Sequence, residues 1–402
     1  MKKSIILAAL CGAFLAAPAM ADADDDAPGF TFGPRQNITF LPTVNAGVFW
    51  ESNARRTASN EKDGAAWRVQ PMFSLTYNTL QTNLSASGFY TLIRGFEDKN
   101  AQDSDTYGAA LSLRRALGKR WNFISSLTYS RTENDEFYGE GWSGPGSPAY
   151  VDENRSENYN FMLSLGYRGE KWKSSVSGGW SRSRQLDGWR IVSNTYTGSL
   201  LVGRMLGAHM SWDNSVTMSI HDPQRGKISE SYYLMTGVAG EVTQKTSYTA
   251  MGGVAIQSFH GYQNETAVGP AYNVSVAHRF TQTLAASALL SSTYKAENNG
   301  DVKATYVWRH SLTGAVNKAW TDRINSRLNA SVIYEDHQAG GSAYKSQEWE
   351  RTYIRVAFNT SYKFNKYMSL YGGVSWSDNL YSGGGKKDYD CFRADLGLTF
   401  VF

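Results

Sequence analysis

The sequence predicts an all-β protein, an antiparallel transmembrane β-barrel of the bacterial outer-membrane type with about 18 strands. Three observations predict it: many short segments alternate apolar and polar residues, a secretory leader precedes them, and the chain ends on an alternating strand with an aromatic residue. An alternating strand has one apolar and one polar face. Such strands cross a membrane only in a closed barrel, because every backbone group must be paired there.

The amino end has the three parts of a secretory signal peptide. Met1-Lys2-Lys3 is basic, residues 5–17 are apolar, and Ala19-Met20-Ala21 fits a cleavage site between small residues. We therefore predict a signal peptide over residues 1–21, a flexible periplasmic segment over 22–36 and a barrel over 37–402. The mature chain would keep only Cys391, so it cannot form an intrachain disulfide.

The composition excludes several other classes. The mature chain has no apolar run near the roughly 20 residues that a membrane-spanning helix needs. The 40 basic and 36 acidic residues of the full sequence are nearly balanced, which argues against a nucleic-acid partner. The six histidines have no metal-ligand spacing, and we expect no metal, no cofactor and no enzymatic activity. His221-Asp222 is the pair that most resembles part of a catalytic site, and no nucleophile accompanies it.

The first hairpin sets the pattern for the rest. A strand is predicted over about residues 37–52, with Phe40, Val44 and Trp50 among its lipid-facing residues, and the chain returns through Trp67 after a polar loop. Short turns then recur near 78–79, 118–120, 169–171, 206–208, 242–245, 281–283, 318–321 and 364–367. Longer loops fall near 97–105, 135–155, 187–190, 222–228, 262–266, 298–301, 339–345 and 382–388.

These boundaries give eighteen segments, with both chain ends on the periplasmic side. Sixteen is the alternative, because the segment 229–240 alternates poorly. The loop 135–155 is the longest, and it either constricts the pore or stays at the surface.

The last strand is predicted to close the barrel and to direct the protein to its membrane. Its apolar residues occupy one face, and the chain ends on a phenylalanine, which resembles the carboxy-terminal signal that the barrel-assembly machinery recognises. The residues assigned to this signal are Phe392, Leu396, Leu398, Phe400 and Phe402. The predicted surroundings are therefore outer-membrane lipid, with the assembly machinery as a partner during insertion.

Tryptophans lie near the predicted strand ends, as expected for residues at a membrane interface. Trp121, Trp172 and Trp320 lie near periplasmic turns. Toward the outer side we place Trp50, Trp67, Trp349 and Trp376.

The polar alternating face is predicted to line the lumen. A charge at the bilayer midplane costs about 2–4 kcal/mol, so charged residues belong on the interior side. The candidate pore-lining residues are Arg279, Lys303, Arg309, Arg327, Arg355, Arg393, Asp213, Glu335 and Asp395. The excess of arginine indicates a field that favours anionic or polyhydroxylated solutes. The alternative, equally open, is that the arginines pair with the acids and brace the wall.

The segments Leu41-Pro-Thr-Val-Asn-Ala-Gly-Val-Phe-Trp-Glu-Ser-Asn53 and Trp67-Arg-Val-Gln-Pro-Met-Phe-Ser-Leu-Thr-Tyr-Asn78 resemble the opening of the putative β-barrel porin 2 family. The piece Ser126-Leu-Thr-Tyr129 is similar to its repeated hairpins. The resemblance implies an outer-membrane pore, with exopolysaccharide as one cargo and small polar solutes as another. A structural or adhesive barrel with a closed lumen is the alternative, and an outer-membrane hydrolase is a more distant one.

Overall fold

The structure is a closed antiparallel barrel of eighteen strands with one additional short strand at its amino end. The computed structural model describes residues 29–32, 37–53, 63–96, 103–134, 156–186, 192–224, 228–260, 265–298, 304–339, 349–383 and 388–402. No helix in this described part of the chain is long and apolar enough to cross a membrane.

The strands follow one another in chain order around the barrel. They are β1 Phe30–Phe32, β2 Ile38–Glu51, β3 Gly64–Asn78, β4 Thr82–Gly95, β5 Ser104–Leu117, β6 Trp121–Asn134, β7 Ser156–Arg168, β8 Trp172–Gln185, β9 Val192–Met205, β10 Met210–Pro223, β11 Ile228–Thr243, β12 Thr246–His260, β13 Glu265–Thr281, β14 Leu284–Asn298, β15 Ala304–Ala319, β16 Ile324–Ala339, β17 Trp349–Lys363, β18 Met368–Gly383 and β19 Tyr389–Val401. Each pairs with the next, and β19 pairs with β2 from Arg393↔Glu51 to Val401↔Thr43.

The predicted count of eighteen is confirmed, and sixteen is wrong. The poorly alternating segment forms β11, which is paired along its length with both β10 and β12. The short strand β1 lies inside the segment that we predicted as a flexible lead-in. It pairs with the first residues of β2, from Phe30↔Phe40 to Phe32↔Ile38, on the edge that β19 leaves open.

The end of the barrel with the short connections is called the turn end here, and the opposite end the loop end. Several turns are stabilised by the side chain of their first residue, namely Thr79, Thr243, Thr281, Thr321 or Asn365. In each, the side-chain oxygen accepts a hydrogen bond from a backbone N–H two or three residues further on, at 2.8–3.4 Å. Threonine and asparagine favour this local bond, which fixes the turn and therefore the strand register.

The outer face of the barrel carries the apolar half of the alternation. Seven aliphatic side chains that face outward are 45–53% exposed: Leu111, Leu127, Val176, Leu200, Val216, Leu312 and Leu396. An exposed apolar surface that continues around the barrel is typical of the lipid-facing side of a transmembrane barrel. Phe392 and Leu396 of β19 lie on this face, as predicted, and Phe402 at its end is 55% exposed.

Aromatic residues form a girdle at each end of the outer face. Exposed aromatic side chains at the turn end are Trp121, Trp172, Trp212, Phe280, Trp320, Phe364, Tyr367 and Phe402. Toward the loop end, Tyr90, Tyr107, Tyr129 and Tyr159 form a row across four adjacent strands, with ring centroids 4.9–6.4 Å apart. Trp349 was predicted for this girdle, and that assignment is wrong. It faces the lumen, where its ring stacks on His337 at 3.4 Å.

Candidate functional site in the barrel lumen

The lumen has one charged side and one side rich in hydroxyl and amide groups. The charged wall is defined here as nine lumen-facing charged residues of β15–β19, β2 and β3: Arg309, Arg327, Glu335, Arg351, Arg355, Arg393, Asp395, Glu51 and Arg68. Six are arginines and three are acids, so this wall is net positive. Strands β4–β10 instead present many Ser, Thr and Asn side chains, of which Ser85 and Ser112 are hydrogen-bonded at 2.7 Å.

Glu335 lies at the centre of the most highly connected part of the charged wall. The register places it directly between Arg309 of β15 and Arg351 of β17. Its carboxylate oxygens lie 3.6 Å from Arg309 Nε, 3.5 Å from Arg351 Nη1 and 3.6 Å from His337 Nε2. The Glu335 side chain is only 8% exposed, so these charges are shielded from bulk water. A buried carboxylate held by two guanidinium groups braces three adjacent strands.

Arg351 extends this cluster to the next strand. Its Nε donates a hydrogen bond to Asn379 Oδ1 at 2.8 Å, and its guanidinium carbon lies 5.4 Å from the centroid of the Tyr353 ring. Both Arg351 and Asn379 are buried. The planar guanidinium can bind a carboxylate, an amide and an aromatic ring at the same time, which lysine cannot do.

A second ion pair crosses the junction where the barrel closes. Arg393 Nη1 of β19 donates to Glu51 Oε1 of β2 at 2.9 Å. The guanidinium carbon also lies 4.0 Å from the centroid of the Phe49 ring, and both Glu51 and Phe49 are buried. First and last strands of the barrel are therefore joined by a side-chain contact as well as by the backbone ladder.

Tyr371 packs flat against the wall because two glycines make room for it. Gly397 and Gly47 lie in the same row as Tyr371, and a Cβ on Gly397 would overlap the tyrosine hydroxyl. Across these glycines, Arg68 Nη2 donates to the Tyr371 hydroxyl at 2.9 Å. This row connects β18 to β3 over two intervening strands.

The charged wall is enclosed toward the loop end and open toward the turn end. Near the loop end Glu51, Arg68, His337 and Arg351 are all 6% exposed or less. Toward the turn end Arg327 is exposed, and its Nε donates to Asn329 Oδ1 at 2.8 Å. The enclosed part consists of ion pairs, whereas the exposed part presents an arginine to the solvent of the lumen.

The alternation and strand pairing place eight of the predicted pore-lining residues on the lumen face: Arg279, Arg309, Arg327, Arg355, Arg393, Asp213, Glu335 and Asp395. Lys303 and the loop 135–155 lie outside the described residues. Arg309, Glu335 and Arg393 come together in the ion pairs above. Asp213 lies away from them, on β10, where Lys173 Nζ approaches its carboxylate at 2.8 Å. That these residues line a conducting pore stays a prediction.

Four lumen-facing residues were not among those predicted from the sequence: Glu51, Arg68, Lys173 and Arg351. The alternation itself contained the signal for Arg68, since it stands between the outward-facing Trp67 and Val69. Glu51 ends β2 and Arg351 is the third residue of β17, and so close to the loops the predicted boundaries left their faces undefined.

The pair His221-Asp222 does not form a catalytic arrangement. The two residues are consecutive in β10, so their side chains point to opposite faces of the barrel wall. His221 Nδ1 lies 3.0 Å from the Thr195 hydroxyl on the lumen side. No group of three or more His, Cys, Asp or Glu side chains suited to a metal ion occurs in the described ranges.

The sequence matches no protein-family model and no curated protein sequence. Among solved structures, the copper transporter OprC is similar, with 8% identity over 93% of this chain and 81% of that chain and a TM-score of 0.47. The siderophore receptor PirA from Pseudomonas aeruginosa has 10% identity over 90% and 80% of the two chains and a TM-score of 0.43. The FrpB iron transporter from Neisseria meningitidis has 8% identity over 90% and 81%, with a TM-score of 0.46. Our assignment of the barrel rests on this chain's own strand pairing.

Proposed function

We propose that the protein is a bacterial outer-membrane pore that passes polar, preferentially anionic solutes through a hydrated, net-basic lumen. The observation that carries this proposal is the charged wall, with six arginines against three acids on one side of the interior. Barrels of 16–18 strands are generally too wide for side chains to fill. The apolar outer face and its two aromatic girdles support a position in the membrane, with lipid as the surrounding partner.

The two interpretations of the arginines apply to different residues. Arg309, Arg351 and Arg393 contact carboxylates, and in these places the guanidinium groups brace the wall. Arg327 is exposed and its side chain contacts an amide, so its charge acts on the solvent in the lumen. A positive field concentrates anions, because a low-dielectric wall screens it less than bulk water does.

Exopolysaccharide is the cargo that the porin 2 resemblance implies. The Ser, Thr and Asn side chains of β4–β10 support it, since rows of hydroxyl and amide groups can exchange hydrogen bonds with a sugar chain. Small polar solutes need only the hydrated lumen. The alternative is a structural or adhesive barrel with a closed lumen, which is supported by the burial of Glu51 and Arg68 near the loop end.

Recording from the refolded protein in a planar bilayer tests the proposal. We expect discrete conductance steps and, with a salt gradient across the bilayer, a reversal potential that shows anion preference. Neutral oligosaccharides added on one side should block the current if a sugar chain enters the lumen. A correctly folded barrel that never conducts would contradict the open pore and favour the closed barrel.

A further inference from the structure

The barrel wall is incompletely paired between β13 and β14. Their ladder runs from the turn end only as far as Asn273↔Ser291. Beyond it β13 remains paired with β12 as far as Glu265, and β14 remains paired with β15 as far as Asn298. We call the stretch of this boundary from residue 272 of β13 and residue 292 of β14 to the loop end the seam. It is the longest stretch without a ladder between described barrel strands.

Side chains replace the missing ladder in the seam. The Ser292 hydroxyl accepts a hydrogen bond from Tyr272 N–H at 2.9 Å and donates one to the Pro270 carbonyl at 3.1 Å. The Tyr233 hydroxyl accepts from Tyr294 N–H at 2.9 Å and donates to the Tyr294 carbonyl at 3.0 Å. In a membrane barrel every backbone polar group needs such a partner. Two hydroxyl groups therefore replace ladder partners at Tyr272, Pro270 and Tyr294, and a rotamer change at Ser292 or Tyr233 would remove them.

Tyr233 reaches the seam from three strands away. It belongs to the lumen face of β11, and the register aligns it with Ala255 of β12 and Gly269 of β13. Its hydroxyl reaches the backbone of Tyr294 on β14. The Tyr294 side chain lies against Gly269, where an added Cβ would overlap the Tyr294 hydroxyl. Ala255 is 1% exposed, as expected for a residue that the ring covers. Tyr233 thus lies across the lumen side of the seam as a latch.

The lumen face beside the seam carries a cluster of apolar residues. The residues that face the lumen here include Met235, Met251, Ala255, Ala271 and Leu289. On the membrane side, Tyr294 stacks on Trp308 with centroids 5.7 Å apart, and Trp308 contacts His310 at 4.3 Å. Apolar and aromatic side chains therefore lie on both faces of the wall at this boundary.

Two polar groups next to the seam have no hydrogen-bond partner. Gln257 faces the lumen one row beyond Ala255, is 0% exposed, and neither its amide oxygen nor its amide nitrogen is bonded to a described residue. The indole N–H of Trp308, on the membrane side, likewise finds no acceptor there. A buried polar group without a partner is unfavourable, so such groups often mark a position that a ligand completes.

We propose that the seam is a lateral port between lumen and membrane, closed by Tyr233, for a single-chain amphiphile. The apolar chain would lie against Met251, Ala255 and Ala271, and an uncharged polar group that both donates and accepts hydrogen bonds would bind Gln257. When Tyr233 swings away, Tyr294 loses its backbone partner, and the two strands separate at the loop end. The port is independent of the proposed ion pore, because its lining is apolar and lies outside the charged wall.

Cysteine labelling in proteoliposomes tests this proposal. The background is the mature chain with Cys391→Ala, into which Ala271→Cys places one thiol on the lumen side of the seam. Ala110→Cys is the matched control, since Ala110 faces the lumen from β5 and is paired on both sides. N-dodecylmaleimide dissolved in the bilayer probes access from the membrane, and a sulfonated, impermeant maleimide probes access from water.

Tyr233→Phe should raise the rate of Ala271→Cys labelling from the bilayer about tenfold, because it removes two hydrogen bonds from the closed state. Ser292→Ala should raise it as well, and Tyr196→Phe on the outer face should leave it unchanged. The Ala110→Cys thiol should not respond to any of them. The proposal is overturned if the Ala271→Cys thiol ignores the bilayer reagent in both seam variants. An equal rise at Ala110→Cys would also overturn it, since the barrel would then be opening generally.

Discussion

At the scale of single residues, the charged wall depends most on Glu335. We expect Glu335→Gln to lower the free energy of unfolding by about 3 kcal/mol, because Arg309 and Arg351 then keep buried charges without their carboxylate. Urea titration in lipid vesicles, followed by tryptophan fluorescence, measures it. The control is Glu170→Gln, because Glu170 pairs with Arg120 at 3.8 Å in an exposed turn and such pairs contribute at most about 1 kcal/mol. Equal effects of the two substitutions would contradict the bracing role.

A substitution at Gly397 tests whether Tyr371 can pack against β19 only because the residue beside it has no side chain. Gly397→Ala places a methyl group where the Tyr371 hydroxyl lies, so the ring must move and its bond to Arg68 is lost. Overpacking of this kind costs about 1–3 kcal/mol. Gly198→Ala is the matched control, because no atom lies within 4 Å of the Cβ that it would add. The urea midpoint of Gly397→Ala should lie clearly below that of Gly198→Ala. Equal midpoints would refute the packing argument.

At the scale of strands, β19 closes the barrel and carries the proposed targeting signal. Phe402→Ser should reduce the amount of barrel found in the outer membrane, because the assembly machinery would lose the terminal aromatic residue. Phe364→Ser is the control, since Phe364 is exposed at the same end of the barrel and lies in a turn. Membrane fractionation with immunoblotting measures both. An equal reduction in both variants would show a general need for interfacial aromatics instead, and an unchanged amount of the Phe402 variant would contradict the targeting role.

The alternation predicts the strands and their faces, and most of the fold follows from that. A period of two determines the face of Arg309 or Glu335, because each strand residue has only two directions available. It does not determine which residues meet, since pairing depends on the length of each turn, and a shift of one residue reverses a strand's faces. The Glu335 cluster needs the register on both sides of β16. Trp349 was assigned to the wrong face because it lies close to the predicted 339–345 loop. There the start of the strand, and with it the alternation of faces, was not defined.

The seam is the part of the wall that the sequence predicts least. Tyr233 and Tyr294 are separated by 61 positions, and their contact depends on how closely four strands curve together. The one sign in the sequence was the poor alternation of β11, which made sixteen strands an alternative. The structure gives its cause: Met235 stands on a lumen face where a polar residue was expected. A local failure of the pattern thus marks an unusual surface.

At the scale of the whole molecule, the distribution of charge decides what a pore of this width would select. The mature sequence is nearly neutral, with 38 basic and 36 acidic residues once Lys2 and Lys3 are removed. Selectivity therefore comes from the arrangement of charges inside the lumen. Six arginines lie on the charged wall, whereas strands β4–β10 carry fewer lumen-facing charges and many Ser, Thr and Asn side chains, so a solute passes between a more positive surface and a hydrogen-bonding one.

That arrangement predicts an anion preference that depends on salt. The Debye length is about 10 Å at 0.1 M and about 3 Å at 1 M salt, so the field of the wall reaches farther into the lumen at the lower concentration. The reversal potential in a KCl gradient should show strong anion preference near the lower concentration and little near the higher one. Arg327→Ala combined with Arg355→Ala should weaken the preference at low salt. Arg120→Ala, in an exposed turn outside the lumen, should leave it unchanged. Cation preference at low salt, insensitive to the lumenal double substitution, would show that the charged wall does not control the solute.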